Sequence, residues 1–246
     1  MYRFFVDKNQ ISENEIVITG ADVNHIKNVL RMKVDEEMVL SDGENFEYRC
    51  LIKELGETEV LAEIIYAQET GIELKSQIYL FQGLPKSDKM ELIIQKAVEL
   101  GVFQIIPVAM KRSVVKLDSK KEANKLKRWQ SIAESAAKQA KRMIIPEVSR
   151  IKTFDEAVAM ARDLDICLMP YEKAKDINAT KAFLETIEVG QSIGVFIGPE
   201  GGFAEEEVSA AMINEVKTIT LGKRILRTET AGITMLSILM FLMEEA

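Results

Sequence analysis

Two rhythms of apolar and polar positions follow one another along the chain. In roughly the first 70 residues the apolar runs are short and broken by turn residues, as in "YRFFV", "EIVIT", "EMVLSD", "FEYRCLIKEL" and "EVLAEIIY". These predict strands. One helix interrupts them: in "GADVNHIKNVLRM", Val23, Ile26, Val29 and Leu30 recur at helical spacing, and Asp22 is placed to cap. Several short strands around one helix predict a small β-barrel. The polar stretch "AQETGIELKSQ", with Gly71, marks a domain boundary, giving domains 1–70 and 71–246.

Beyond residue 77 strands and helices alternate. "IYLFQGL", "VFQIIPV", "IIPEV", "DICLMP", "SIGVFIG" and "KTITLG" read as strands. "KSDKMELIIQKAVELG" is an amphipathic helix with Met90, Ile93, Ile94, Ala97 and Val98 on one side and Gly101 as its stop. A long basic helix covers about Ser119 to Lys141, and "TFDEAVAMAR", "NATKAFLETI" and "AEEEVSAAMI" are shorter ones. A last helix fills most of Thr228 to Glu244. The central strands are apolar throughout, which predicts a mainly parallel sheet covered on both faces in an α/β domain.

The net charge of −7 argues against a polyanionic partner, but its distribution changes that picture. Thirteen Lys/Arg against four Asp/Glu between Lys111 and Lys152 give +9 there, leaving −16 for the rest of the chain. Either a face for an anionic polymer or a solvated helix surface accounts for this. The single histidine, His25, and two distant cysteines, Cys50 and Cys167, supply no metal-ligand spacing; no metal is expected, and a Ser-His-Asp triad would have to use His25. "MYRFFVDKNQ" has no signal-peptide pattern, and the apolar stretch Ala231–Met243 is too short to span a bilayer. A cytoplasmic, non-membrane protein is expected.

In parallel α/β sheets ligands bind at the C-terminal ends of strands. Three strands here end in distinctive loops: "CLMPYE", "VFIGPEGG" and "TLGKRILRTETA". If the strands are neighbours, one crevice results. The glycine-rich loop lacks the Lys-Ser/Thr of a phosphate-binding loop and the spacing of a dinucleotide fingerprint, which speaks against a nucleotide-binding enzyme. Glu205, Glu206 and Glu207 open the following helix and would repel a phosphate. A neutral or cationic ligand approached by backbone, or a plain strand-to-helix turn, remain. Arg224 and Arg227, between an apolar strand and an apolar helix, favour a ligand. Thr228 or Thr230 is placed to cap that helix, with Glu229 in its first turn.

"IGPEGGF", "LGKRILRTETA", "ESAAKQAKRMIIPEV" and "KMELIIQKAVELGV" together resemble the bacterial 16S ribosomal RNA uracil-N3 methyltransferases of the SPOUT superfamily, over essentially the whole chain. Where Lys138 and Lys141 stand, the family more often has a glutamate and a small residue; Glu134, Gln139 and Arg142 match. The resemblance implies a PUA-like barrel followed by a SPOUT-type α/β domain with a C-terminal trefoil knot. It implies S-adenosylmethionine as cofactor, held by Met169 and Pro170; by Ile197, Gly198, Pro199, Glu200 and Gly201; and by Leu221, Gly222, Ile225, Leu226, Thr230 and Ala231. The implied substrate is a uridine of 16S rRNA in the small ribosomal subunit. Arg227 is expected to stabilise the uracil anion, and Glu200 either to orient the base, to accept its proton, or only to shape the turn. Arg3, His25, Arg31, Lys86, Glu134, Gln139 and Arg142 are implied RNA contacts, with His25 equally readable as a surface or half-buried helix residue. A homodimer is implied; the apolar "ITMLSILMFLM" suits either a dimer face or core packing. A non-catalytic RNA-binding assembly factor of the same fold is the alternative.

Overall fold

The computed structural model describes residues 1–44, 46–69, 71–115 and 119–244. Thr70 of the boundary stretch and Lys116 and Asp118 of the basic stretch lie outside these residues. The chain divides into two compact units. One is Met1–Glu73 with Lys141–Ile145; the other is Leu74–Ala140 with Pro146–Ala246.

The first unit contains β1 (Tyr2–Phe5), β2 (Glu15–Thr19), a short helix α1 (Ala21–Asn24), β3 (Glu37–Ser41), β4 (Phe46–Leu55) and β5 (Glu59–Glu69). The sheet order is β1-β3-β4-β5-β2, parallel between β1 and β3 and antiparallel elsewhere. No ladder joins β1 to β2 among the described residues, so the sheet is a mixed half-barrel rather than a closed barrel. Alternate residues fill its core, as in Ile16 and Ile18, Met38 and Leu40, Cys50 and Ile52, and Val60 and Ala62.

Two sequence expectations change here. Gly20, at φ 76°, takes the cap position of α1, and Asp22 lies inside the helix. The helix then widens into a π turn over His25–Val29, closed by the Leu30 N–H donating to the His25 carbonyl at 2.9 Å. The wider turn shifts later side chains around the axis. Val23 and Ile26 are buried, while Val29 is 63% exposed.

The segment Lys141–Ile145 belongs to this unit through polar ties that periodicity does not reveal. The buried Arg142 guanidinium donates to Glu73 at 2.6 Å, and the Ser41 hydroxyl donates to the Met143 carbonyl at 3.1 Å. The unit's thiol, Cys50, is pushed up to about 12 by burial.

The second unit contains β6 (Gln77–Gly83), α2 (Lys89–Glu99), β7 (Gln104–Ala109), α3 (Ser119–Gln139), β8 (Glu147–Val148) and β9 (Lys152–Thr153). Then follow α4 (Phe154–Ala161), β10 (Ile166–Pro170), α5 (Ile177–Leu184), β11 (Ser192–Ile197), α6 (Glu205–Ile213), β12 (Lys217–Ile219) and α7 (Thr228–Met243). The sheet order is β12-β10-β11-β6-β7-β8, with β9 also on β7, and every pairing among the described residues is parallel.

Successive residues of β11, Val195 and Phe196, point to opposite faces and are both fully buried, so each face is covered. Gly101, at φ 85°, ends α2 as the spacing predicts: its N–H donates to the Val98 carbonyl, and that of Val102 to the Ala97 carbonyl. No helix of the described residues is long and apolar enough to cross a membrane.

Candidate active site

The strands β12, β10 and β11 are consecutive neighbours, so their C-terminal loops do meet. Between them lies a cavity of about 430 Å³ lined by Ile197–Phe203, Thr220–Thr228, Pro170–Glu172, Lys89 and Ala231. That volume lies within the range of small-molecule sites.

Most of the residues expected to hold a cofactor line this cavity: Pro170, Ile197, Gly198, Pro199, Glu200, Gly201, Leu221, Gly222, Ile225, Leu226 and Ala231. Arg227 and Glu200, the expected catalytic pair, also line it. Met169, on β10, is fully buried in the core, and Thr230 is exposed on α7; neither side chain is on the lining. The walls combine backbone amides and carbonyls with aliphatic side chains. Ile225 is 87% exposed at this site, apolar surface that a flat ring would cover.

The glycines of the "GPEGG" loop fit their own chain closely. A Cβ on Gly198 would stand 3.2 Å from Gly202 and 3.3 Å from Phe203. Below the loop, a Cβ on Gly83 would stand 2.7 Å from Pro199, so the end of β6 supports the loop directly. Gly202 is different: nothing lies within 4 Å of its missing Cβ, but its φ of 67° suits glycine. The Arg112 guanidinium donates to the Gly201 carbonyl at 2.9 Å and holds the loop from the β7 side.

The three glutamates behind the loop each have partners, which changes the electrostatic argument. Glu205 pairs with Lys173 and Glu206 with Lys111. Glu207 is buried and accepts from the backbone N–H groups of Ala204 and Lys111, each at 2.8 Å. Their field at the pocket is therefore weaker than the bare sequence implies. Closer to the cavity, the Lys89 ammonium lies between Glu200 at 3.3 Å and Glu229 at 3.2 Å. The Glu229 contact is an ion pair by distance but off the hydrogen-bond line, and its Oε2 is buried without a hydrogen bond among the described residues.

Lys89 is raised above the ordinary lysine range, first by Glu229 and also by Glu200. Burial alone would raise the Glu200 carboxyl. The backbone N–H groups of Glu200 and Lys86 and the Lys89 ammonium outweigh that effect and hold it below the ordinary glutamate value. A carboxylate with a lowered pKa is a weak proton acceptor.

Helix α7 begins differently from the expectation. Arg227 occupies the N-cap position with an extended backbone, and its carbonyl accepts the Ala231 N–H at 2.8 Å. Thr228 is the first helical residue, and its hydroxyl does not cap: it donates to the Gly198 carbonyl at 2.6 Å. Glu229 stands in the first turn as expected.

The residues implied for RNA contact are divided between the two units. In the second unit, Lys86 is exposed and its N–H donates to Glu200, Glu134 pairs with Lys138 at 2.8 Å, and Gln139 is exposed. In the first unit, Arg3 is largely buried and pairs with Glu47 at 2.7 Å, and Arg142 is buried against Glu73. His25 stands edge-on to Phe4 with ring centroids 5.9 Å apart. Arg31 is exposed at φ 55°, an uncommon backbone for a non-glycine residue.

Sequence reasoning missed Gln82, Gly83, Lys89 and Arg112 as parts of the site. One signal was present. A glutamine and a glycine interrupt the apolar strand "IYLFQGL", and a buried polar residue there needs a partner.

Comparison with known proteins agrees with this geometry. Residues 72–240 match the RNA methyltransferase domain family and residues 18–65 the RNA methyltransferase PUA domain family. The chain is 38% identical to the ribosomal RNA small subunit methyltransferase E of Bacillus subtilis, over 96% of this chain and 95% of that one. A ribosomal RNA small subunit methyltransferase E from Neisseria gonorrhoeae, solved bound to S-adenosyl methionine, superposes with a TM-score of 0.84 at 32% identity over 98% of each chain. A methyltransferase from Legionella pneumophila solved with bound SAM gives 0.85 at 30% identity, over 97% of this chain and 96% of that one. A half-barrel with a PUA match, a parallel α/β unit with its pocket at the strand ends, and near full-length relatives together establish that the chain belongs to the ribosomal RNA small subunit methyltransferase E family.

Proposed function

We propose that this protein transfers a methyl group from S-adenosylmethionine to N3 of a uridine in 16S rRNA of the small ribosomal subunit. The observation that carries the reading is the cavity at the ends of β12, β10 and β11, with Arg227 on its lining at the start of α7. The fit to the cofactor rests on three properties of that cavity. Its volume suits a molecule of this class, its walls offer backbone groups and aliphatic faces, and its lining carries the Glu172 and Glu200 carboxylates, able to face a sulfonium, among the cations Lys89, Lys223, Arg224 and Arg227. When bound, S-adenosylmethionine supplies an activated methyl group.

The chain's own residues supply the rest. The Gly198–Gly202 loop and Leu221–Leu226 form the two walls that hold the cofactor. Uracil N3 is a poor nucleophile while protonated, so the site must favour the uracil anion. Arg227, with the N-terminal end of the α7 dipole, stabilises the negative charge that develops on the uracil oxygens. Glu200, fixed by Lys89 and the Lys86 amide, orients the base rather than taking its proton.

The basic stretch on α3 supplies affinity for the RNA backbone that does not depend on sequence. Arg31 and His25 in the first unit, with Lys86 and Gln139 in the second, are the RNA contacts that remain accessible. Arg3, Arg142 and Glu134 act through the ion pairs they make. The exposed Phe241 and Leu242 of α7 form the face of a homodimer, in a cytoplasmic enzyme whose α/β unit carries the C-terminal trefoil knot of its superfamily. Intact walls and an accessible Arg227 favour catalysis over the alternative of a non-catalytic assembly factor. A methylation assay on small ribosomal subunits separates the two: methyl transfer from S-adenosylmethionine to 16S rRNA is expected if the reading holds, and no transfer with a folded protein that binds the cofactor refutes it.

A further inference from the structure

Beneath the pocket, one buried hydrogen-bond chain joins three elements that meet nowhere in sequence. Gln82, near the end of β6, is fully buried in an otherwise apolar strand. Its Nε2 donates to the Gly83 carbonyl and to the Thr228 Oγ1, both at 2.9 Å. The Thr228 hydroxyl in turn donates to the Gly198 carbonyl at 2.6 Å. The direction of the chain is fixed by its ends. Both carbonyls only accept, so the amide nitrogen must face Gly83 and the hydroxyl must pass its hydrogen to Gly198.

Two further features mark this chain as more than packing. The Gln82 Oε1 is buried with no hydrogen-bond partner among the described residues, an unfavourable arrangement that an apolar side chain of similar size would avoid. The peptide between Gly198 and Pro199 has no N–H, so the Gly198 carbonyl is its only polar group, and Thr228 engages it. The chain thus fixes the first peptide of one pocket wall and the first helical residue after Arg227 on the other.

We propose that Gln82 and Thr228 are positioning residues for methyl transfer. They hold the Gly198 wall and the Arg227 wall in one register before ligand arrives. This rests on the reading that the pocket holds S-adenosylmethionine. Thr228 itself lines the cavity, and in this role it acts through Gly198 and through the start of α7.

The test compares Gln82→Leu, Thr228→Val and Thr228→Ser with the wild type. Its readouts are S-adenosylmethionine affinity by calorimetry, single-turnover methylation of small subunits, and Tm. Gln82→Leu removes the orphan oxygen together with the donors. The proposal predicts an unchanged or higher Tm with affinity or single-turnover rate lowered about tenfold or more. Thr228→Val falls similarly, and Thr228→Ser, which keeps the hydroxyl, returns to within about threefold of wild type. Wild-type affinity and rate in Gln82→Leu and Thr228→Val would overturn the proposal. So would losses that track a collapse in Tm, since the chain would then be structural only. A wild-type protein that fails to bind S-adenosylmethionine would instead overturn the functional reading beneath it.

Discussion

Gly198→Ala places one methyl group where the wall of the pocket folds back on itself. The new carbon would stand 3.2 Å from the Cα and carbonyl carbon of Gly202 and 3.3 Å from Phe203, a few tenths of an ångström inside ordinary contact. Retreat is blocked on both sides. Gly202 is held by its N–H bond to the Pro199 carbonyl at 2.9 Å, and Pro199 rests on Gly83. Overpacking of this kind costs about 1–3 kcal/mol. Part of it lowers stability, and Tm falls by roughly 2–4 °C per kcal/mol in a chain of this size. Part of it moves the Gly198 peptide. Loss of one backbone hydrogen bond to ligand, about 0.5–1.5 kcal/mol, weakens S-adenosylmethionine roughly 2- to 12-fold in calorimetry. The effect is steric, because no positive φ is involved at Gly198. Gly202 supplies the contrast: there Asn, which tolerates the left-handed backbone, should be accepted better than Ala, whereas at Gly198 Asn should be no better than Ala. Wild-type affinity and Tm in Gly198→Ala, or rescue of that site by Asn, would refute the reasoning.

Three other perturbations test separate parts of the account. Arg227 is exposed, so Arg227→Ala should leave Tm nearly unchanged and lower single-turnover methylation by about 10²–10³ if it stabilises the uracil anion; unchanged turnover would contradict that role. Glu207→Ala leaves the Ala204 and Lys111 N–H groups without their carboxylate and should cost about 2–4 kcal/mol in urea unfolding, and a loss under about 1 kcal/mol would show that solvent replaces it. Because the Glu200 pKa is lowered in the fold, its stabilisation is complete above the ordinary carboxylate value of about 4.3 and is lost as pH falls through the lower folded value. The kcat/KM profile from about pH 5 to 8 should therefore have the same shape in Glu200→Gln as in wild type, and disappearance of an acid limb in that variant would make Glu200 the proton acceptor after all.

The order of strands and helices was legible because its cues are local. Apolar runs, Gly101 and the acidic start of α6 each act within one turn or one strand, and the crevice followed once β12, β10 and β11 proved to be neighbours. Features that depend on distant partners were not legible. Val29 faces solvent because one hydrogen bond skips to the fifth residue, which no periodicity encodes. The charge of Glu205–Glu207 read as a barrier until Lys173, Lys111 and two backbone amides were placed beside it. Thr228 looked like a cap because threonine before an apolar helix usually is one, but Gln82, 146 positions away, directs its hydroxyl to Gly198.

Mass spectrometry of small ribosomal subunits incubated with this protein and isotopically labelled S-adenosylmethionine tests the central claim most directly. The account predicts one labelled methyl group, on N3 of a uridine in 16S rRNA. Label on a ribose or another base, or no label with folded protein and intact subunits, would contradict it.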